Sequence, residues 1–479
     1  MSELTIKPAL ELLTMLRSGA ISSVELTREH LREIERLDPD LRAFAHFDPE
    51  RALAGAIEAD RRRGSADLLA ADRPLLGLPM TVKASIATAG YRCEVGSVLN
   101  RGFVPDEDAV IVQRMRAAGA VILGTTNCPE FLMAYETDNL LYGKTANPWN
   151  LACSAGGSSG GEAAAIAAGL SAGGIGSDSG GSVREPAHFT GICALKPTPG
   201  RLPGRGHLPP CVGPFSILGS VGPMARTIGD VALLFATLSG SDPVDPVGAP
   251  VSLRVVSDAE LRSKPIGVLE ADGLVPVTAE TRAAVRAAAE ALRARGFATR
   301  PFESKYLEEA RGLWWTFFMR CGRMLLEPLI AGREGELSST FRYFLDVVRR
   351  EALLTGGELL EAWTQCDVVR SKLLQELEPY SVLITPVCSV PAFRHGERDW
   401  VIGEERVEYF SAMRFTQWFN LLGAPAAVVP VGRSEEGLPI GVQVAGRPYF
   451  DEEVLRVASM LDEDFGYEAP MAVSSGVEL

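Results

Sequence analysis

Apolar residues recur at helical spacing through residues 8–63. Leu10, Leu13 and Leu16 lead to Gly19, and Ser22–Ser23 then open a second run through Leu26, Leu31 and Ile34. From Leu76 the pattern changes. Pro79-Met-Thr-Val-Lys83 reads as a short strand with a lysine at its carboxyl end. Ala109–Gly119 reads as a helix stopped by glycine, and Ala120–Gly124 as a buried strand. The alternation returns at 264–300, with a strand over Pro265–Leu269, a helix over Thr278–Arg295 halted by Gly296, and then Phe297-Ala-Thr. Short apolar strands between helices predict a sheet with helices packed on it, an α/β fold. Residues 305–380 read as helical and carry an aromatic cluster around Trp314, Trp315, Phe317 and Phe318, continuing at Phe341, Tyr343 and Phe344. Such a cluster is either ordinary core or the wall of a substrate pocket.

Residues 154–182 break from this pattern. They read SAGGSSGGEAAAIAAGLSAGGIGSDSGGS, mostly Gly, Ser and Ala. Ser159-Gly-Gly-Glu162 fits a capping box, which predicts a helix through Glu162–Leu170 with small side chains that allow close backbone packing. Gly173–Asp178 then reads as a turn into a short strand or extended loop. No internal repeat is visible, and residues 240–263 are the best candidate for a looser connection.

Composition narrows the function. The chain has 479 residues, 46% of them hydrophobic, with 47 Lys+Arg against 61 Asp+Glu and a formal net charge of −14. That excludes a disordered chain. It also speaks against a nucleic-acid binder and a polybasic membrane-surface protein, both of which need a basic face. The eight cysteines, at 93, 128, 153, 193, 211, 321, 366 and 388, form no CxxC pair, so neither a zinc site nor a redox dithiol is signalled. With no signal-peptide pattern and no long apolar run, the expected compartment is the cytoplasm. No cofactor and no metal is expected.

Several serine motifs overlap in the small-residue segment. Gly157-Ser-Ser159-Gly-Gly161 satisfies G-x-S-x-G, but a nucleophile elbow needs a strand before Ser159 and a histidine downstream. Residues 150–156 make a poor strand, and the chain has only five histidines, at 30, 46, 188, 207 and 395. Asp178-Ser-Gly-Gly181 imitates the nucleophile loop of trypsin-like proteases, whose fold is all-β. A dinucleotide fingerprint fails because Ser179 stands where the third glycine belongs.

Taken together, GGSSGG, the Ala-rich helix, GSDSGGSVREP and GICALKPT over residues 156–198 resemble the amidase signature family of Ser-Ser-Lys hydrolases. Val82-Lys83, Gly124–Asn127, Asn147-Pro-Trp149, Gly219–Thr227, Asn420–Pro430 and Gly437–Pro448 agree, and the likeness is weakest between 240 and 400. The resemblance implies one large α/β domain over 1–479, with a central mixed sheet covered on both faces by helices. Within it, 1–75 would be an N-terminal helical part, 76–230 the catalytic core and 300–400 a variable region that shapes the pocket.

Amide hydrolysis needs a nucleophile, a base and donors for the oxyanion. With no histidine in the Gly/Ser/Ala-rich stretch 154–182, a neutral lysine is the base to expect, and only burial or nearby positive charge makes one. By resemblance, Ser182 is the nucleophile, Ser158 bridges after a cis peptide bond, and Lys83 accepts the proton. Ser179, Gly180 and Gly181 would supply oxyanion amides, supported by Asp178, Arg184 and Ser177. Pocket candidates are Leu132, Met133, Trp314, Phe317, Phe318 and His207, the last in the Gly/Pro-rich loop Gly204–Pro214. Two departures stand out: Ala84 follows the lysine where many members carry aspartate, and Ser179 replaces a threonine or larger aliphatic.

The expected function is hydrolysis of small neutral, hydrophobic or aryl amides, with esters and carbamates within the same chemistry. The alternative is the glutaminase subunit of a tRNA-dependent amidotransferase. The expected partner is the small-molecule substrate alone, with no nucleic acid, no membrane and at most a second copy of the chain in a homodimer.

Overall fold

The computed structural model describes residues 1–64 and 73–470. The N-terminal part expected over 1–75 therefore has residues 65–72 outside the described residues, as does the end of the expected domain, 471–479.

Among the described residues, eleven strands form one mixed sheet. From edge to edge they are Phe44–Phe47, Val121–Thr126, Pro79–Lys83, Gly173–Asp178, Ser220–Ala225, Cys193–Lys196, Ala426–Arg433, Pro439–Ala445, Leu383–Pro386, Ile266–Val268 and Thr299–Pro301. Residues 76–230 and 415–450 thus contribute to the same sheet. The strand of Pro79–Lys83 runs parallel to both neighbours, with Thr81 opposite Gly174 and Val82 opposite Ile175. That register brings the carboxyl ends of two adjacent strands together, one ending in Lys83 and the other in Ser177–Asp178. Carboxyl ends of parallel strands are where α/β sheets open clefts.

Successive strand residues face opposite layers. Cys193 and Leu195 pack with the helices Ala9–Ser18, Val110–Ala117, Ile228–Leu238 and Asp451–Phe465, whereas Ala194 packs with Gly160–Ala167 and Arg184–Thr190. Ala427 and Val429 divide from Val428 in the same way. Helices therefore cover both faces, as an α/β sheet with apolar residues on each side requires. The Gly160–Ala167 helix is buried along its whole length. A Cβ on Gly161 would lie 2.5 Å from the Ala43 carbonyl oxygen and the Asn127 amide, so only glycine lets the helix seat this closely.

The helix start at 159 differs from the sequence expectation. Ser159 occupies the N-cap position, but its side chain makes no cap bond. Its hydroxyl instead donates to the Ser177 carbonyl at 3.3 Å. Glu162, expected to close the box, accepts from the hydroxyls of Thr81 and Thr126. A capping box is a solvent-edge device, and here both ends are buried against the sheet. The motif Ser22-Ser-Val-Glu25 does form one, with Ser22 and Glu25 bonded reciprocally at the surface.

Residues 305–380 are helical, as Leu307–Trp315, a five-residue π turn over Thr316–Arg320, Cys321–Ile330, Ser339–Val348 and Gly356–Leu377. Their aromatic residues pack into one core with Tyr409, Phe410 and Trp418 from the C-terminal part.

Candidate active site

Lys83 is fully buried at the end of its strand. Its Nζ lies 2.7 Å from Ser158 Oγ and 3.1 Å from Ser177 Oγ. Burial lowers its pKa to about 8, so a free amine forms within reach of neutral pH. Ser158 follows a cis peptide bond from Gly157. Ser182 is 9% exposed and shares with Ser158, Ser177 and Ser179 the wall of one cavity of about 220 Å³. The structure therefore gathers Lys83, Ser158, Ser177 and Ser182 around one pocket.

The loop before Ser182 is held from behind. The Ser179 carbonyl accepts from Trp314 Nε1 at 2.8 Å, and the Gly180 carbonyl accepts from Thr416 Oγ1 at 2.6 Å and the Tyr135 hydroxyl at 3.1 Å. Since C=O and N–H point oppositely across a planar peptide, these bonds turn the Gly180 and Gly181 amides the other way. The Gly181 amide is already engaged, donating to Asp178 Oδ1 at 2.8 Å. Among the described residues, it is the one of the three expected oxyanion amides with an intramolecular acceptor.

Asp178 and Arg184 form a bidentate pair with both side chains fully buried. Burial alone would raise the Asp178 pKa. The Arg184 charge and hydrogen bonds, Lys196 and Asn420 outweigh it and hold the carboxyl below its ordinary range. Arg184 also donates to Gln443 and Asn420, which ties this loop to the C-terminal part of the chain.

The pocket wall holds some of the residues expected there and not others. Leu132, Met133, Phe318 and His207 line it, whereas Trp314 and Phe317 do not. Trp314 is fully buried behind the Ser179–Gly180 peptide and stacks on Phe318, and Phe317 turns into the helical core against Trp363. A π turn at this point sets neighbouring side chains on different faces, which aromatic spacing alone does not reveal. Sequence reasoning missed Phe131, Phe215 and the helix face of Leu325, Leu326 and Leu329. Their only signal was apolar residues at helical spacing, the same signal as ordinary core. Phe131 and Leu132 both have left-handed backbones, with φ of 49° and 66°, a strained arrangement typical of binding sites. None of the lining residues carries a formal charge.

Among the described residues no cluster of His, Cys, Asp or Glu is suited to a metal ion, and no helix is long and apolar enough to cross a membrane.

A model of the Amidase family matches residues 25–455. A glutamyl-tRNA(Gln) amidotransferase subunit from Roseiflexus castenholzii is 35% identical, over 95% of this chain and 94% of its own. A solved protein described in a vestigial complex that reveals the origins of an s-triazine catabolic enzyme aligns with a TM-score of 0.87 and 30% identity, over 97% of this chain and all of its own. A bacterial aryl acylamidase of the amidase signature family shares the fold at a TM-score of 0.85 and 24% identity, over all of both chains.

These relatives correct two expectations. A stand-alone hydrolase of small hydrophobic amides, with no nucleic acid and no partner beyond its substrate or a second copy, is overturned by full-length relatives named as subunits of glutamyl-tRNA(Gln) amidotransferases. The reasoning failed because net charge reports a chain's own surface and not that of its partners. Of the two readings of the aromatic cluster, ordinary core or pocket wall, most of it is core.

Proposed function

The chain belongs to the amidase family, and on that premise we propose that it is the ammonia-releasing subunit of a tRNA-dependent amidotransferase, cleaving the side-chain amide of glutamine through an acyl-enzyme on Ser182. The observation that carries the chemistry is the 2.7 Å contact between Lys83 Nζ and Ser158 Oγ in the wall of the pocket onto which Ser182 opens. Ser182 Oγ attacks the amide carbon and passes its proton to Ser158, whose own proton moves to the Lys83 lone pair. Amides of the 179–182 loop receive the oxyanion. Ser158 gives its proton to the nitrogen and is reprotonated by Lys83 as the C–N bond breaks, ammonia leaves, and water hydrolyses the acyl-Ser182 ester to glutamate.

Full-length similarity to glutamyl-tRNA(Gln) amidotransferase subunits supports the setting. The uncharged pocket wall bears on how the donor sits. A buried, unpaired charge is costly. The side-chain amide therefore enters, and the α-ammonium and α-carboxylate stay at the mouth, in water or against a partner protein. With a net charge of −14 the chain is poorly suited to hold a polyanion, so in this reading the tRNA rests on a partner.

The test is reconstitution with the partner proteins of such an amidotransferase. Ammonia release from glutamine and tRNA-dependent amidation are expected in the complex, and Ser182→Ala abolishes both. A chain that leaves glutamine untouched with its partners present, yet hydrolyses neutral arylamides alone, overturns the proposal.

A further inference from the structure

We infer that His207 is a positioning residue that sets the direction of the hydrogen-bond chain ending at Lys83, and thereby aims the lysine lone pair at Ser158. The inference rests on the Ser182–Ser158–Lys83 relay proposed above.

The loop that carries His207 is anchored beside the base. Leu208 N donates to the Ser85 carbonyl at 2.7 Å, and His207 bridges Ile86. The ring is 7% exposed. Its Nδ1 lies 2.8 Å from the Pro209 carbonyl oxygen, which can only accept, so Nδ1 carries the proton. The Cys211 sulfur, at 3.5 Å, shares that side. Nε2 of a neutral ring then presents a lone pair to Ser177 Oγ at 2.9 Å, with Ser85 Oγ more distant at 3.5 Å. Burial, with the Lys83 charge beyond Ser177, lowers the imidazole to about 4, which keeps it neutral where the enzyme works.

The consequence passes through Ser177. A serine hydroxyl has one proton, and here it points to His207. Toward Lys83, 3.1 Å away, Ser177 can only accept. One Lys83 N–H is therefore committed to Ser177, and the lone pair of the neutral amine is left for Ser158. Were Ser177 to donate instead, it would occupy that lone pair and leave Lys83 only N–H groups to offer Ser158, the wrong polarity for a base.

The test is the pH profile of Ser182 labelling by a fluorophosphonate, which reads nucleophile activation whatever the natural substrate. In His207→Leu, Ser177 is free to turn toward Lys83. The plateau rate is expected to fall about tenfold, the effect of one misdirected hydrogen bond. The midpoint moves to lower pH, because a donor now favours the neutral amine. His207→Gln, whose amide oxygen can accept from Ser177, returns the rate to within about threefold of wild type. In a Ser177→Ala background, His207→Leu has no further effect. A His207→Leu variant with the wild-type rate and midpoint overturns the inference. So does an undiminished effect in the Ser177→Ala background, or a folded His207→Gln that fails to recover. Wild-type protein that takes up no label at Ser182 overturns the relay itself, and this inference with it.

Discussion

Trp314 Nε1 donates to the Ser179 carbonyl at 2.8 Å, although the two residues lie 135 positions apart in the chain. The bond joins the helical region to the 179–182 loop and directs the Gly180 amide away from the indole. Trp314→Phe keeps a ring against Phe318 but removes the donor. One lost buried hydrogen bond corresponds to about 1–2 kcal/mol. Acylation of Ser182 is expected to slow about 5–30-fold, with little change in substrate affinity. Single-turnover labelling alongside a thermal melt checks this. A rate that falls only in step with stability would refute a role in aiming the loop.

Asp178 and Arg184 make the opposite kind of contribution, to stability before activity. Asp178→Asn leaves Arg184 buried with no carboxylate, a change expected to cost about 3–5 kcal/mol. The sign with pH follows from the lowered carboxyl. Its folded pKa lies below the unfolded value near 3.8, so the stabilisation is complete above that value and is lost as pH falls from it toward the lower folded pKa. Urea titrations from pH 7 to pH 3 should show an acid-side loss in wild type that is shallower in Asp178→Asn.

Close packing around the small-residue helix yields a third prediction. Gly161→Ala places a methyl 2.5 Å from backbone atoms of Ala43 and Asn127, which no rotamer change relieves. Overpacking of this kind costs about 1–3 kcal/mol or more. A lowered urea midpoint is the expected result. An unchanged midpoint would show that these segments can move apart.

The legible parts of this protein are those where one local rule decides. Pro79–Lys83 is a strand from end to end, because an apolar run bounded by turn residues has few other fates. Thr278–Arg295 reads as a helix with a glycine stop, and the helix runs over Ala279–Ala294 with Thr278 capping it by accepting from the Thr281 amide. Local rules fail where tertiary contacts reassign a side chain. Glu162 has the spacing of a capping partner, yet burial beneath the sheet gives it Thr81 and Thr126 instead. Trp314 has the character of a pocket wall, yet a bond to a distant carbonyl makes it a brace. The link from His207 through Ser177 to Lys83 joins three separate segments, and no spacing in the chain announces it.

The clearest pH signature belongs to Lys83. Burial lowers its pKa to about 8, and only the unprotonated amine can accept the Ser158 proton. Below that value the competent fraction falls tenfold per pH unit, and above it the rate levels. The acylation rate of Ser182 should therefore rise with unit slope up to pH of about 8 and then plateau. His207, lowered to about 4, stays neutral across this range and adds no second step above pH 5. Glu162, raised by burial to about 7, is the neighbour able to distort the curve, because its ionised form favours the lysine cation. Glu162→Gln keeps one acceptor, turns the other threonine contact into an amide N–H donating to the hydroxyl oxygen, and removes that charge, so its midpoint should move to lower pH with the plateau retained. Lys83→Met should abolish acylation at every pH. A wild-type profile that is flat from pH 6 to pH 9 would mean that another group takes the proton from Ser158.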